Sequence, residues 1–272
     1  MFLLTSSTPV RCYRPLMIGA IAGDIIGSVF EHHPIKTKDF PLFSENSRIT
    51  DDSVLTIAIA DALLKDRDYG NSLRTIGLKY PNAGYGKQFM TWLAFEGHPP
   101  YNSWGNGSAM RVAPIGWLCG SIEEVLTEAA SSASVSHNHP EGVKGAQAVA
   151  LAVYLAKHDA EKPDLKNELS TRFGYSLDRT LQEIRPTYQF DSSCQGSVPE
   201  SIICFLESEC YESAVRNAVS LGGDSDTMAC IAGAIAEAFY GSVPKTIVEH
   251  SRKRLPEELL HVIDRFASAV TA

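Results

Sequence analysis

Residues 222–241 begin Gly222-Gly223-Asp224-Ser225-Asp226-Thr227 and continue MACIAGAIAEAFYG. A flexible Gly-Gly delivers two carboxylates and a hydroxyl to the start of an apolar helix. The fold turns on what precedes this stretch. A phosphatase-type Asp-x-Asp normally follows a buried strand, whereas residues 211–220 (YESAVRNAVS) carry apolar positions at helical spacing. An EF-hand loop from Asp224 would need an oxygen ligand at 228, glycine at 229 and glutamate at 235. The chain has Met228, Ala229 and Ile235 there. The arrangement left is helix, turn, helix.

A second acidic stretch, Thr50-Asp51-Asp52, also opens an apolar helix, residues 53–64. Brought together, the two stretches supply four Asp carboxylates (Asp51, Asp52, Asp224, Asp226) and two hydroxyls (Thr50, Thr227). Oxygen-only ligands suit hard divalent cations such as Mg²⁺ or Mn²⁺. Without a cation, clustered carboxylates repel until some take up protons. A plainer reading makes Thr50 and Asp226 simple N-caps. One cap needs one oxygen, so capping explains neither the Asp51-Asp52 doublet nor the Asp224/Asp226 pair.

Further from these two stretches the pattern stays helical. Residues 17–30 (MIGAIAGDIIGSVF) form a helix rich in Gly and Ala, whose small side chains let neighbours approach closely and predict a central position. It carries one acid, Asp24, and ends before Glu31-His32-His33. The polar segment from there to Ile49 reads as a loop, and Glu31 in it as an acid near the cation site with no neighbouring carboxylate. Other helices are expected at 71–80, 87–95, 109–116, 121–135, 141–158, 198–207, 211–220, 244–254 and 257–270. Residues 161–190 read as polar, peripheral helices. Alternating strand patterns are almost absent and no linker divides the chain. The expectation is one all-α domain over residues 17–272, with helix N-termini pointing into a polar pocket and residues 1–16 a loose extension.

The loop 96–108 (EGHPPYNSWGNGS) offers glycines, amides and hydroxyls. Its backbone N–H groups could wrap a diphosphate while an aromatic covers a base, or it is an ordinary Gly/Pro/Asn turn. His137-Asn138-His139 has zinc-like spacing but no third soft ligand at a suitable distance.

The 272 residues are 44% hydrophobic and 21% charged, with a net charge of −8. That is an ordinary globular composition, and the charge argues against a nucleic-acid backbone or anionic membrane as the main partner. The six cysteines include no Cys-x-x-Cys and read as reduced thiols of a cytoplasmic protein. Apolar runs fall short of the roughly 18 residues a membrane span needs.

With these motifs in place, the chain resembles the ADP-ribosylglycohydrolases. That family includes the dinitrogenase-reductase-activating glycohydrolase of bacteria and the animal ADP-ribosyl-acceptor hydrolases. The resemblance rests on residues 17–28, Thr50-Asp51-Asp52, residues 104–111 (WGNGSAMR), Ser136-His137 and residues 222–227, all in family order. It implies a compact orthogonal multi-helix bundle with a dinuclear Mg²⁺ or Mn²⁺ centre on Thr50, Asp51, Asp52, Asp224, Asp226 and Thr227. It also implies Glu31 as the flexible catalytic acid, Ser103, Trp104, Gly105, Asn106 and Gly107 as the phosphate and ribose loop, and His137 in the pocket.

The implied reaction removes ADP-ribose from an ADP-ribosylated protein or small-molecule conjugate at the anomeric carbon. The cations would hold the ribose hydroxyls and lower the pKa of a bound water, and Glu31 would move a proton. Nucleic acid enters only as a modified substrate. Two alternatives are weighed. A silent ADP-ribose binder should have lost a ligand or Glu31, and neither is lost. A metal-dependent phosphatase is argued against by the helical context.

Overall fold

The computed structural model describes residues 16–271, which form fifteen helices and, among the described residues, no strand. Of the expected extension 1–16, all but Leu16 lies outside the described residues, and Leu16 is buried. In chain order the helices are α1 Ile18–Gly27, α2 Asp51–Leu63, α3 Tyr69–Gly77, α4 Lys87–Ala94, α5 Gly107–Met110, α6 Ala113–Leu118, α7 Ile122–Ser134 and α8 Pro140–Lys157. They continue with α9 Lys162–Phe173, α10 Leu181–Ile184, α11 Cys194–Leu206, α12 Tyr211–Val219, α13 Ser225–Tyr240, α14 Lys245–Arg252 and α15 Glu257–Val270. None is long and apolar enough to cross a membrane.

The centre is α13, buried from Ser225 to Ala238, with α1 against it and buried along its whole length. A helix apolar on all sides belongs inside a protein, and the sequence shows why these two can touch. Gly19, Gly23 and Gly27 recur every four residues and so share one face. A Cβ on Gly23 would meet the Ala229 carbonyl oxygen at 2.1 Å, and one on Gly27 the Ser225 carbonyl oxygen at 2.4 Å. Residues rising along α1 meet residues falling along α13, so the pair is antiparallel. The C-terminal end of α1 therefore lies beside the acidic start of α13.

Glu237, buried on α13, accepts the Gly19 N–H at 2.9 Å and so caps α1 from outside. Around the central pair, α12, α11 and α8 cover α13, while α2 packs against α1 and in turn against α3, α6 and α15. Each large aliphatic side chain buried in this core stabilises the fold by about 1.5–3 kcal/mol relative to exposure.

Helix α1 ends at Gly27 rather than 30 and α3 spans Tyr69–Gly77 rather than 71–80, and three further differences have a visible cause. The single helix expected at 109–116 is two, α5 and α6, because Pro114 in the first turn of α6 starts a helix more readily than it continues one. Helix α11 begins at Cys194 rather than 198, since Ser193 caps it by accepting the Gly196 N–H at 3.1 Å. The polar stretch 161–190 holds only α9 and the four-residue α10, and its last residues reach the central cavity.

Candidate active site

The N-termini of α2 and α13 and the loop before α5 open onto one cavity of about 620 Å³, within the usual range for a small-molecule site. It is lined by Glu31, Thr50, Asp51, Asp52, Asp224, Asp226 and Thr227, and by Ser103, Gly105, Asn106, Gly107 and His137. Every site residue expected from sequence except Trp104 is there.

Capping accounts for only part of the acidic cluster. Thr50 does cap α2, accepting the Asp52 N–H at 3.2 Å. Asp224 stands at the N-cap position of α13 but caps nothing. Its carboxylate accepts the Asn106 side-chain amide at 2.8 Å. Asp52 Oδ2 accepts the Thr227 hydroxyl at 3.2 Å, which ties α2 to α13. The other oxygen, Asp52 Oδ1, is buried with no hydrogen-bond partner among the described residues. Such an atom is costly unless a cation meets it.

Carboxylate oxygens of Asp24, Asp52 and Asp226 lie within 4.8 Å of one another, and so do those of Glu31, Asp224 and Asp226. These groups share Asp226 and could hold cations. Their ligands are all oxygen, as a hard divalent ion requires. Burial pushes Asp51 up to about 8, with the Asp24 charge adding to it. Burial likewise holds Asp52 and Asp226 well above the usual carboxylate range, with repulsion from Asp24 and Asp224 respectively contributing most after it. Charge of this kind fits a site built around positive ions. Asp51 lines the cavity, but its carboxylate belongs to neither group.

Asp24 is the acid the sequence hid, because one carboxylate in an apolar helix carries no motif. Its Oδ2 accepts the Thr50 N–H at 3.0 Å, the Ser53 N–H at 3.1 Å and the Ser53 hydroxyl. Its Oδ1 accepts the Thr50 hydroxyl at 2.7 Å. From α1 it thus satisfies free N–H groups at the start of α2 and aims Thr50 and Asp52 into the cavity.

Glu31 departs from its expected isolation, since the fold sets it beside Asp224 and Asp226. Burial, then the Asp224 charge, raises its pKa. Two features hold its loop there. Lys36 Nζ donates to the carbonyls of Tyr188 and Leu221. Gly222, at φ 63°, lets the acidic turn pass so close to Ile35 that a Cβ would sit 2.8 Å from the Ile35 carbonyl oxygen.

The Ser103–Gly107 loop is fastened to the start of α11. The Asn106 N–H donates to the Ser192 carbonyl at 2.8 Å, and the Cys194 N–H to the Trp104 carbonyl at 2.9 Å. Trp104 itself stands apart from the rest of the loop. Its side chain is exposed and edge-on to His139 at 5.6 Å, outside the cavity lining. Ser103 and Gly105 on either side of it line the cavity. Aromatic surface comes instead from Phe89, Tyr101 and, 55% exposed, Phe190. Arg48 and Arg111 also line the cavity. Tyr101 lies in the loop whose aromatics were expected to cover a base and Arg111 ends the 104–111 motif, whereas Phe89, Phe190 and Arg48 carried no signal.

Comparison with known proteins agrees with this geometry. The family model described as ADP-ribosylglycohydrolase matches residues 7–272. The ADP-ribosylhydrolase ARH3 of Homo sapiens is 28% identical, over 84% of this chain and 85% of its own. That of Gallus gallus is 27% identical over 87% of each chain. The ADP-ribosylarginine hydrolase Tri1 of Pseudomonas putida is 23% identical over 88% of this chain and 73% of its own. A solved structure described as an ADP-ribosylglycohydrolase-related protein complex superposes with a TM-score of 0.70 over 93% of this chain and 96% of its own, at 22% identity. That last likeness concerns the fold.

Proposed function

Because the chain belongs to the ADP-ribosylglycohydrolase family, we propose that it is a divalent-cation-dependent hydrolase that releases ADP-ribose from a protein side chain or small conjugate. The observation that carries the cation dependence is Asp52 Oδ1, a buried carboxylate oxygen with no hydrogen-bond partner among the described residues, set in a cluster of carboxylates from α1, α2 and α13. Asp52, Asp224, Asp226 and the Thr50 and Thr227 hydroxyls, with Asp51 beside them, are the ligands. Two Mg²⁺ or Mn²⁺ ions bound there would supply positive charge that fixes the ribose hydroxyls and lowers the pKa of a water.

The remaining tasks fall to the chain. The small residues Gly105 and Gly107 let the diphosphate come close where a larger residue would block it. Tyr101 and Phe190 offer faces for the base. Asn106 holds Asp224 in place through its amide. Glu31, beside Asp224 and Asp226, moves the proton as the bond at the anomeric carbon breaks and water adds.

The reading is tested by incubating the protein with Mg²⁺ or Mn²⁺ and ADP-ribosyl-arginine, ADP-ribosyl-serine, an ADP-ribosyl ester or a diphosphate nucleotide. Free ADP-ribose from at least one conjugate, abolished by chelation, is the expected result and names the acceptor. Cleavage of the diphosphate instead would make the protein a phosphatase. Binding of ADP-ribose with no turnover of any conjugate would make it a silent relative.

A further inference from the structure

Beneath the cavity wall lies a buried cation that nothing in the reaction above uses. Arg111 is fully buried and lines the cavity, yet no carboxylate among the described residues pairs with it. Its Nη2 donates to the Ser132 carbonyl at 2.9 Å and to Ser136 Oγ at 3.0 Å. Its Nε and Nη1 have no partner among the described residues. Ser136, also fully buried, stands 2.8 Å from His137 Nδ1 through its hydroxyl.

A guanidinium only donates, so Ser136 Oγ must accept from Arg111. The Ser136 hydroxyl hydrogen then needs an acceptor, and His137 Nδ1 is the one in reach among the described residues. The Ser136 hydroxyl hydrogen is satisfied by this ring only when the imidazole proton is on Nε2. That nitrogen has no partner among the described residues and faces the glycine loop: a Cβ on Gly107 would lie 3.1 Å from it, one on Gly105 3.7 Å.

We propose that Arg111 and Ser136 are positioning residues that hold His137 as a neutral imidazole with its Nε2–H directed to a diphosphate oxygen of the substrate at the Gly105–Gly107 loop. The inference rests on the glycohydrolase reading for the identity of that ligand. The nearby positive charge polarises the Ser136 hydroxyl toward Nδ1 and opposes a second proton on the ring. Burial, and then Arg111, hold the His137 pKa well below its ordinary value, in the same direction. The ring itself is set by Tyr101, edge-on at 5.5 Å, and Phe89 at 6.2 Å. A neutral donor fixed beside the glycine loop serves an anion without needing a proton from solvent.

The test is ¹⁵N NMR of histidine-labelled full-length protein, with ADP-ribose affinity measured by calorimetry in Mg²⁺. The wild type should show His137 protonated at Nε2 and bare at Nδ1. Ser136→Ala should shift the ring toward the Nδ1–H tautomer and weaken ADP-ribose binding about tenfold, the worth of one good hydrogen bond. Ser136→Thr should restore both. A wild-type ring carrying its hydrogen on Nδ1, or a second proton at neutral pH, would overturn the proposal. So would unchanged affinity in a Ser136→Ala protein whose tautomer has shifted. The tautomer is read without ligand, so failure of the wild type to bind ADP-ribose would count against the glycohydrolase reading while the ring signals still decided the relay.

Discussion

Glu31 and Asp226 are both acids in one cavity, yet their surroundings assign them different work. Asp226 is buried at the first turn of α13 and belongs to both carboxylate groups, so its loss should remove cation and activity together. Glu31 is half-buried on a loop, 3.7 Å from the exposed His32 ring. It lines the cavity and is partly open to solvent. Glu31→Gln keeps the shape and removes the proton. Hydrolysis should fall at least roughly a hundredfold, within the range for positioned proton transfer. ADP-ribose affinity and bound metal should stay close to wild type. Turnover near normal would leave Glu31 a lid residue, and loss of metal would move it into the ligand set.

At the scale of the element, the α1–α13 contact carries the site, because it sets Asp24 beside the acidic turn of α13. Gly23→Ala would place a methyl 2.1 Å from the Ala229 carbonyl oxygen, with backbone on both sides and no side chain free to move aside. Overpacking of this kind costs about 1–3 kcal/mol or more. The Tm should drop by roughly 5–10 °C for a domain of this size. A Tm within a degree of wild type would mean the helices do not touch here.

The same contact buries Glu237, whose carboxyl is raised from 4.5 to about 8 by burial, offset by backbone N–H groups that favour the ion. The folded state thus binds a proton more tightly than the unfolded chain. The stability this confers is complete below about pH 4.5 and is lost as pH rises through about 8. Glu237→Gln should remove that component. Between pH 5 and 8 its urea midpoint should decline less than that of wild type, and parallel declines would contradict the assignment.

For the whole molecule, the acidic cluster joins helices distant in sequence, so a cation filling it should stabilise all of them at once. A ligand at a thousand times its Kd adds about 4 kcal/mol. Chelation should therefore lower the Tm by on the order of 10 °C, and Mg²⁺ or Mn²⁺ should restore it. An unchanged melting curve in EDTA, with an elemental count near zero, would remove the cation from this account.

The sequence by itself determined the parts whose signal is local. Helical periodicity placed most elements, and acids clustered at two helix starts marked Thr50, Asp51, Asp52, Asp224, Asp226 and Thr227. Gly-Ala spacing also put the 17–30 helix at the centre. Each of these is a relation among residues a few positions apart, fixed by helix geometry and by what oxygen-rich clusters can hold. Only the tertiary structure brought Glu31 to Asp224 and Asp226, used Asp24 to seat the start of α2, turned Trp104 out of the cavity and brought Phe190 in. It also set Arg111 behind Ser136 and His137. Where a side chain on a loop or a lone acid in an apolar helix points depends on which distant backbone it meets, and no short-range pattern records that.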